Sequence, residues 1–159
     1  MVLTVLPKKE SLFTSLEELI EEYFKEQSTG DTVCVRCKRK GTTVQKTELG
    51  KTPKYLVLSL KRHGQDTKNA PLQVPIELSL EPHVRVKNVQ KSHLYILKGA
   101  GTHVGDTFNH GHWKACAIKN NQWIEYDDTV VTKVTQKYVC HFLNPDLLFF
   151  EKRAKVLPS

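Results

Sequence analysis

Between His112 and Tyr126 the chain carries strand-forming residues on both sides of one polar pair, Asn120-Asn121, and few folds accommodate that pattern. Asn tolerates the left-handed backbone of a two-residue hairpin turn, so His112–Ile118 and Gln122–Tyr126 read as antiparallel strands joined there. Such a turn places His112 across from Asp127 or Asp128 within a residue or two. Leu94–Lys98 and Leu147–Glu151 are further strand-like runs on either side. Gly99–Gly111, which contains four glycines together with His103, Asp106 and His110, reads as a loop of the kind where chemistry is sought.

The N-terminal part has a different periodicity. Val2–Leu6 is a short strand-like run stopped by Pro7. Leu12, Leu16, Leu19, Ile20, Tyr23 and Phe24 then recur at helical spacing, with Glu17, Glu18, Glu21 and Glu22 on the opposite face. Ser15 with Glu18 reads as a capping box, and Gly30-Asp31 ends the helical pattern. From Thr32 the chain turns polar and strand-like. Tyr55–Leu60 is a buried strand that Lys61 and Arg62 end at the surface, and residues 63–71 form an exposed loop. Val74, Ile76, Leu78 and Leu80 alternate with other residues, and Val84, Val86 and Val89 nearly continue the pattern, giving one or two half-buried strands. The sum is an α+β arrangement: an N-terminal helix followed by a mostly antiparallel β-region.

At 159 residues, 39% hydrophobic and 26% charged, the chain has the make-up of one packed domain rather than a disordered polyelectrolyte. No apolar run approaches the roughly 18 residues of a transmembrane helix, and Met1–Pro7 is too short for a secretory signal. No membrane partner is expected, and the expected compartment is cytoplasm or nucleus. Four cysteines are too few for a disulfide scaffold, so reduced thiols are expected. The net charge of +7 suits nucleic acid, anionic lipid or an acidic protein, and does not choose among them. The basic groups Arg36–Lys40, Lys61 with Arg62, and Lys152–Lys155 lack interleaved aromatics and read better as solvated strand ends than as a nucleic-acid face.

Three constellations carry chemical potential. Cys34 and Cys37 form a C-x-x-C, which is half of a tetrahedral zinc site, an ordinary pair at a turn, or a redox pair. His103, His110 and His112 with Asp106 have the composition of a metal cluster, but their spacing fits no metal motif and Lys114 follows on the face of His112. His112 with Asp127 or Asp128 has the arrangement of a base and its orienting carboxylate, where one imidazole nitrogen is fixed and the other takes a proton from a nucleophile. The bland alternative is a surface His–Asp pair.

In this order along the chain, the residues resemble the ubiquitin-specific proteases, papain-like cysteine peptidases that remove ubiquitin. Ser15-Leu16-Glu17-Glu18-Leu19, Gly30-Asp31 and Cys34 with Cys37 are followed by Pro53–Arg62, reading PKYLVLSLKR, and by Pro71–Leu80. The densest match runs from Tyr95 through His103, Gly105, Gly111-His112-Trp113 and Trp123 to Tyr126-Asp127-Asp128, similar to the family's histidine box, and Leu147–Glu151 resembles its closing strand. Trp113 stands where the family more often has Tyr, and His63 where Phe is usual.

The resemblance implies a partial papain-like fold, with residues 1–152 the C-terminal portion of a catalytic domain and 153–159 a short basic tail. It implies His112 as general base, Asp127 as its orienting partner and Asp128 as a second, supporting acid. His103, Gly105, Gly111 and Trp113 would line the groove for the ubiquitin tail. Cys34 and Cys37 would be half of a zinc knuckle, structural only if a second cysteine pair is supplied, and no cofactor is required for catalysis. The family's nucleophile lies on a helix upstream of its first zinc-knuckle pair, and no cysteine here has that context. The chain alone is therefore expected to cleave nothing, with ubiquitin or ubiquitinated proteins as partners. A non-catalytic ubiquitin-binding adaptor is the alternative.

Overall fold

The computed structural model describes residues 1–5, 14–28, 30, 32–41, 43–62, 71–85, 92–107, 110–141 and 144–154. Leu12, Asp31, the loop expected over 63–70, the continuation through Val86 and Val89, and the tail beyond Ala154 lie outside the described residues. The elements in chain order are β1 (Val2–Val5), β2 (Thr14–Ser15), α1 (Leu16–Phe24), β3 (Gln27–Ser28), β4 (Val44–Gln45), β5 (Tyr55–Leu60), β6 (Leu72–Gln73), β7 (Glu77–Ser79), β8 (Leu94–Thr107), β9 (His110–Lys119), β10 (Gln122–Asp127), β11 (Val130–Val134), α2 (Gln136–His141) and β12 (Leu147–Lys152).

Helix α1 starts where the capping box places it. The Ser15 side chain accepts from the Glu18 N–H at 3.2 Å, and the Glu18 carboxylate accepts from the Ser15 N–H at 3.2 Å. Leu16, Leu19, Ile20 and Phe24 are buried. The helix ends at Phe24, earlier than the Gly30-Asp31 stop, because Lys25 turns to extended backbone at ψ 141. Tyr23 stays exposed, its ring edge-on to Phe24.

One sheet dominates, with strand order β1-β5-β12-β8-β9-β10-β11 and β7 pairing onto β8. β1 runs parallel to β5, and the other neighbours are antiparallel. Leu56, Leu58 and Leu60 of β5, Tyr95 and Leu97 of β8, and Leu148 and Phe150 of β12 form a core shared with α1. Burying one such side chain stabilises by about 1.5–3 kcal/mol.

Three readings need correction. The expected loop over 99–111 is largely strand, because β8 continues to Thr107 and β9 starts at His110. Its glycines and alanine are the small residues the sheet centre requires: a Cβ on Gly99 would lie 3.1 Å from the Cys116 carbonyl oxygen. Arg62 is not at the surface but fully buried at 1% exposure, while Lys61 is exposed. The stretch from Thr32 forms an isolated Val33–Lys40 bridge closed by a turn, and its strand is confined to the two residues of β4. β11 and α2 were not anticipated.

Candidate functional site

The β9–β10 hairpin builds the site. Asn120 and Asn121 both adopt positive φ, 49° and 60°, as a turn of this type demands. Lys119 pairs with Gln122 and Ala115 with Tyr126, so the same register sets Lys114 opposite Asp127. His112 lies two residues further along β9, on the same face by strand alternation. It therefore reaches Asp127 diagonally: His112 Nε2 is 2.5 Å from Asp127 Oδ1. The chain turns back at Asp128, in left-handed backbone at φ 50°, and its Oδ2 lies 4.0 Å from His112 Nδ1. Asp127 holds the tight contact, and Asp128 stands exposed beside the other ring nitrogen.

Asp127 has a second partner that the sequence reading did not assign. Lys114 Nζ donates to Asp127 Oδ2 at 2.6 Å. Hydrogen bonds from Lys114, then from His112, hold the Asp127 carboxyl below its ordinary value, and the same contact raises Lys114. An ionised carboxylate only accepts, so His112 Nε2 carries the shared proton and Nδ1 is the nitrogen available to take another.

His103, Gly105, Gly111 and Trp113 come together beside this pair. His103 pairs with Trp113 and Val104 with His112, and the register breaks between Val104 and Thr107. The His103 and Trp113 rings lie 5.1 Å apart at 57°. His103 is buried and Trp113 is half exposed. The His103 ring fills the space over Gly111, where a Cβ would lie 2.5 Å from its Nε2. A buried carboxylate also missed in the sequence, Asp146, accepts from the His103 N–H at 2.6 Å. Its charge acts on Arg62, partly opposing the burial that pulls that guanidinium below its ordinary value.

The thiols divide into two kinds. Cys116 is buried within the hairpin, on β9 opposite Glu125, and burial, then the Glu125 carboxylate, pushes it up to about 11. Cys140 is buried and raised for the same first reason. Neither is the low-value, accessible thiol a nucleophile needs. Cys34 and Cys37 sit on the turn inside the Val33–Lys40 bridge, where the Cys37 N–H donates to Cys34 Sγ at 3.5 Å. Backbone N–H groups of Cys37 and Arg36 lower Cys34. A tetrahedral zinc takes four ligands, twice what this pair offers, and among the described residues no group of three or more His, Cys, Asp or Glu is placed to hold a metal.

The basic groups are partly used within the fold. Lys152 donates to Thr52, and Arg153 to Glu77 at 3.0 Å, while Arg62 is buried. Among the described residues no helix is long and apolar enough to cross a membrane.

The comparisons with known proteins cover almost the whole chain. The family model for ubiquitin carboxyl-terminal hydrolase matches residues 5–157. Ubiquitin carboxyl-terminal hydrolase 3 of Mus musculus is 29% identical over 154 residues, covering 90% of this chain and 28% of that protein. Ubiquitin carboxyl-terminal hydrolase 9 of Arabidopsis thaliana is 33% identical over 139 residues, covering 81% of this chain and 15% of that protein. Among solved structures, the SAGA DUB module bound to monoubiquitin matches with a TM-score of 0.79 and 24% identity, over 96% of this chain and 35% of that one. The yeast SAGA DUBm with a mutant Sgf73 matches with a TM-score of 0.80 and 23% identity, over 96% of this chain and 35% of that one. The chain thus spans about a third or less of these relatives, and its fold is a partial papain-like ubiquitin-specific protease fold. With that fold, and a family match running nearly end to end, the chain belongs to the ubiquitin carboxyl-terminal hydrolase family.

Proposed function

We propose that the chain is the histidine-bearing part of a deubiquitinating cysteine protease, with His112 as general base and Asp127 as its orienting carboxylate. The observation that carries this reading is the 2.5 Å contact of His112 Nε2 with Asp127 Oδ1, which engages Nε2 and leaves Nδ1 as the nitrogen to take a proton. In the complete enzyme a cysteine from outside this chain loses its thiol proton to Nδ1. The thiolate attacks the carbonyl after the C-terminal glycine of ubiquitin, the leaving amine takes the proton from His112, and water then hydrolyses the thioester. Asp127 stabilises the imidazolium formed between these steps. Asp128, 4.0 Å from Nδ1, is the second acid.

His103, Gly105, Gly111 and Trp113 line the groove for the ubiquitin tail. Two solved relatives in this fold are described as bound to monoubiquitin or ubiquitin aldehyde, which supports ubiquitin as partner. Cys34 and Cys37 would hold a structural zinc together with a second pair from outside the chain. The place of action is cytoplasm or nucleus.

A chimera tests the proposal: this chain replaces the matching stretch of mouse ubiquitin carboxyl-terminal hydrolase 3. The chimera is expected to hydrolyse a ubiquitin amide, and His112→Ala to lower turnover by about 10³ or more, as in other triads. The 159-residue chain alone is expected to be inactive. A folded chimera that binds ubiquitin without turnover would overturn the proposal in favour of a ubiquitin-binding adaptor.

A further inference from the structure

We infer that Lys114 is a positioning residue that fixes the rotation of the Asp127 carboxylate and so aims Oδ1 at His112. For its catalytic consequence this rests on His112 acting as base. The geometry itself does not.

A carboxylate turns easily about its last torsion, because that sp³–sp² rotation is broad and two-fold. With His112 as its sole partner, Asp127 could swing either oxygen toward Nε2 or tip the plane away. Lys114 removes that freedom. It sits directly across the ladder from Asp127 and binds Oδ2 at 2.6 Å, while His112, two residues earlier on the same face, binds Oδ1 at 2.5 Å. Two donors from one strand thus grip the two oxygens of one carboxylate on the next. Lys114 is itself held from below. Glu125 lies on the same face of β10 and attracts its charge, and Tyr138 of α2 donates to Glu125 Oε2 at 2.7 Å. Tyr138, pushed up to about 12 by its bond to Glu125, then by burial, stays a neutral donor.

The groups facing Asp127 are therefore His112 and Lys114 with Cys116 from β9, Glu125 from β10, Asp128 from the turn and Tyr138 from α2. From β11, the residues paired with Asp127 and Glu125 are Val130 and Thr132, which bring no charge. Lys114 is the fixed cation in this set. Its charge does not depend on the state of the imidazole, so it grips Oδ2 in the same way before and after proton transfer and the orienting bond keeps its geometry.

The test compares Lys114→Met and Lys114→Arg by NMR in the 159-residue chain, and by kinetics in the chimera. In Lys114→Met the carboxyl-carbon titration of Asp127 is expected to move to higher pH, and the His112 Nε2 proton to lose its protection from solvent exchange. Lys114→Arg, which keeps the charge and the donors, is expected to restore both. In the chimera, kcat is expected to fall by up to about 10²-fold in Lys114→Met with KM unchanged, as a misaimed catalytic group predicts. If Asp127 titration and His112 exchange are the same in the Met, Arg and wild-type chains, the inference is wrong. The NMR arm needs no turnover: an inactive chimera with these couplings intact would overturn the functional proposal alone, and an active chimera without them would overturn Lys114 alone.

Discussion

The imidazole of His103 occupies the space that a side chain on Gly111 would need, with its Nε2 2.5 Å from where that Cβ would stand and the Val104 carbonyl oxygen 2.7 Å away. The neighbour on one side is a buried ring and on the other is backbone, so neither gives way cheaply. Gly111→Ala is expected to cost about 1–3 kcal/mol, the range for forcing atoms into a packed site. The strain falls next to His112 and on the ring that meets Trp113. Urea unfolding measures the loss, and a change in tryptophan emission of the folded variant reports displacement of His103. An Ala variant as stable as wild type would show that His103 has room to move.

Asp146 joins strands that the chain order keeps far apart. Its carboxylate accepts from the His103 N–H on β8, and its charge opposes the desolvation of buried Arg62 at the end of β5. Removing one member of a buried charge pair costs about 3–5 kcal/mol, because the other stays buried without its counter-charge. Asp146→Ala is expected to lie in that range. Asp146→Asn should cost less, since an amide oxygen still accepts from His103. Equal, small losses for the two variants in urea unfolding would remove Asp146 from this role.

The hairpin and helix α1 were legible because each is fixed by neighbours in sequence. Asn120-Asn121 admits one kind of turn, and Ser15 with Glu18 marks a helix start by bonds that close within four residues. What the sequence reading missed depends on distant partners. Arg62 resembles a surface residue until Asp146 arrives beside it, and glycines 99, 101 and 105 resemble loop punctuation until β9 and β12 press against them. Lys114 is an intermediate case. Strand alternation already puts it on the face of His112, and the register seen is the one a turn centred on Asn120-Asn121 gives, one residue off the register that would place His112 opposite Asp128. That register sets Lys114 opposite Asp127 and leaves His112 to reach the same carboxylate diagonally.

Nine residues make a helix too short to persist alone, so α1 depends on its cap and on its buried face. Ser15→Ala removes one half of the reciprocal box and should cost about 1 kcal/mol. Glu18→Gln, which can still accept from the Ser15 N–H, should cost less. Chemical unfolding of the two variants separates the cap from the helix-dipole effect. A larger loss for Glu18→Gln would assign the stabilisation to charge at the helix terminus instead.

Asp127 makes the stability of the site depend on pH in one direction. Lys114 first, then His112, hold its folded-state value below the ordinary 3.8. A depressed carboxyl binds its proton more weakly in the folded state than in the unfolded one, so the contribution is complete above the ordinary value. It is lost as pH falls through the lower folded value. The stability difference between wild type and Asp127→Asn should therefore be level around neutrality and shrink on acidification. Lys114→Met should narrow the same window, since it removes the larger cause of the depression. Urea midpoints measured for the three chains from neutral into acid pH check the sign. A difference that grows as pH falls would mean that Asp127 is favoured in its protonated form, and that it cannot orient His112 by accepting from it.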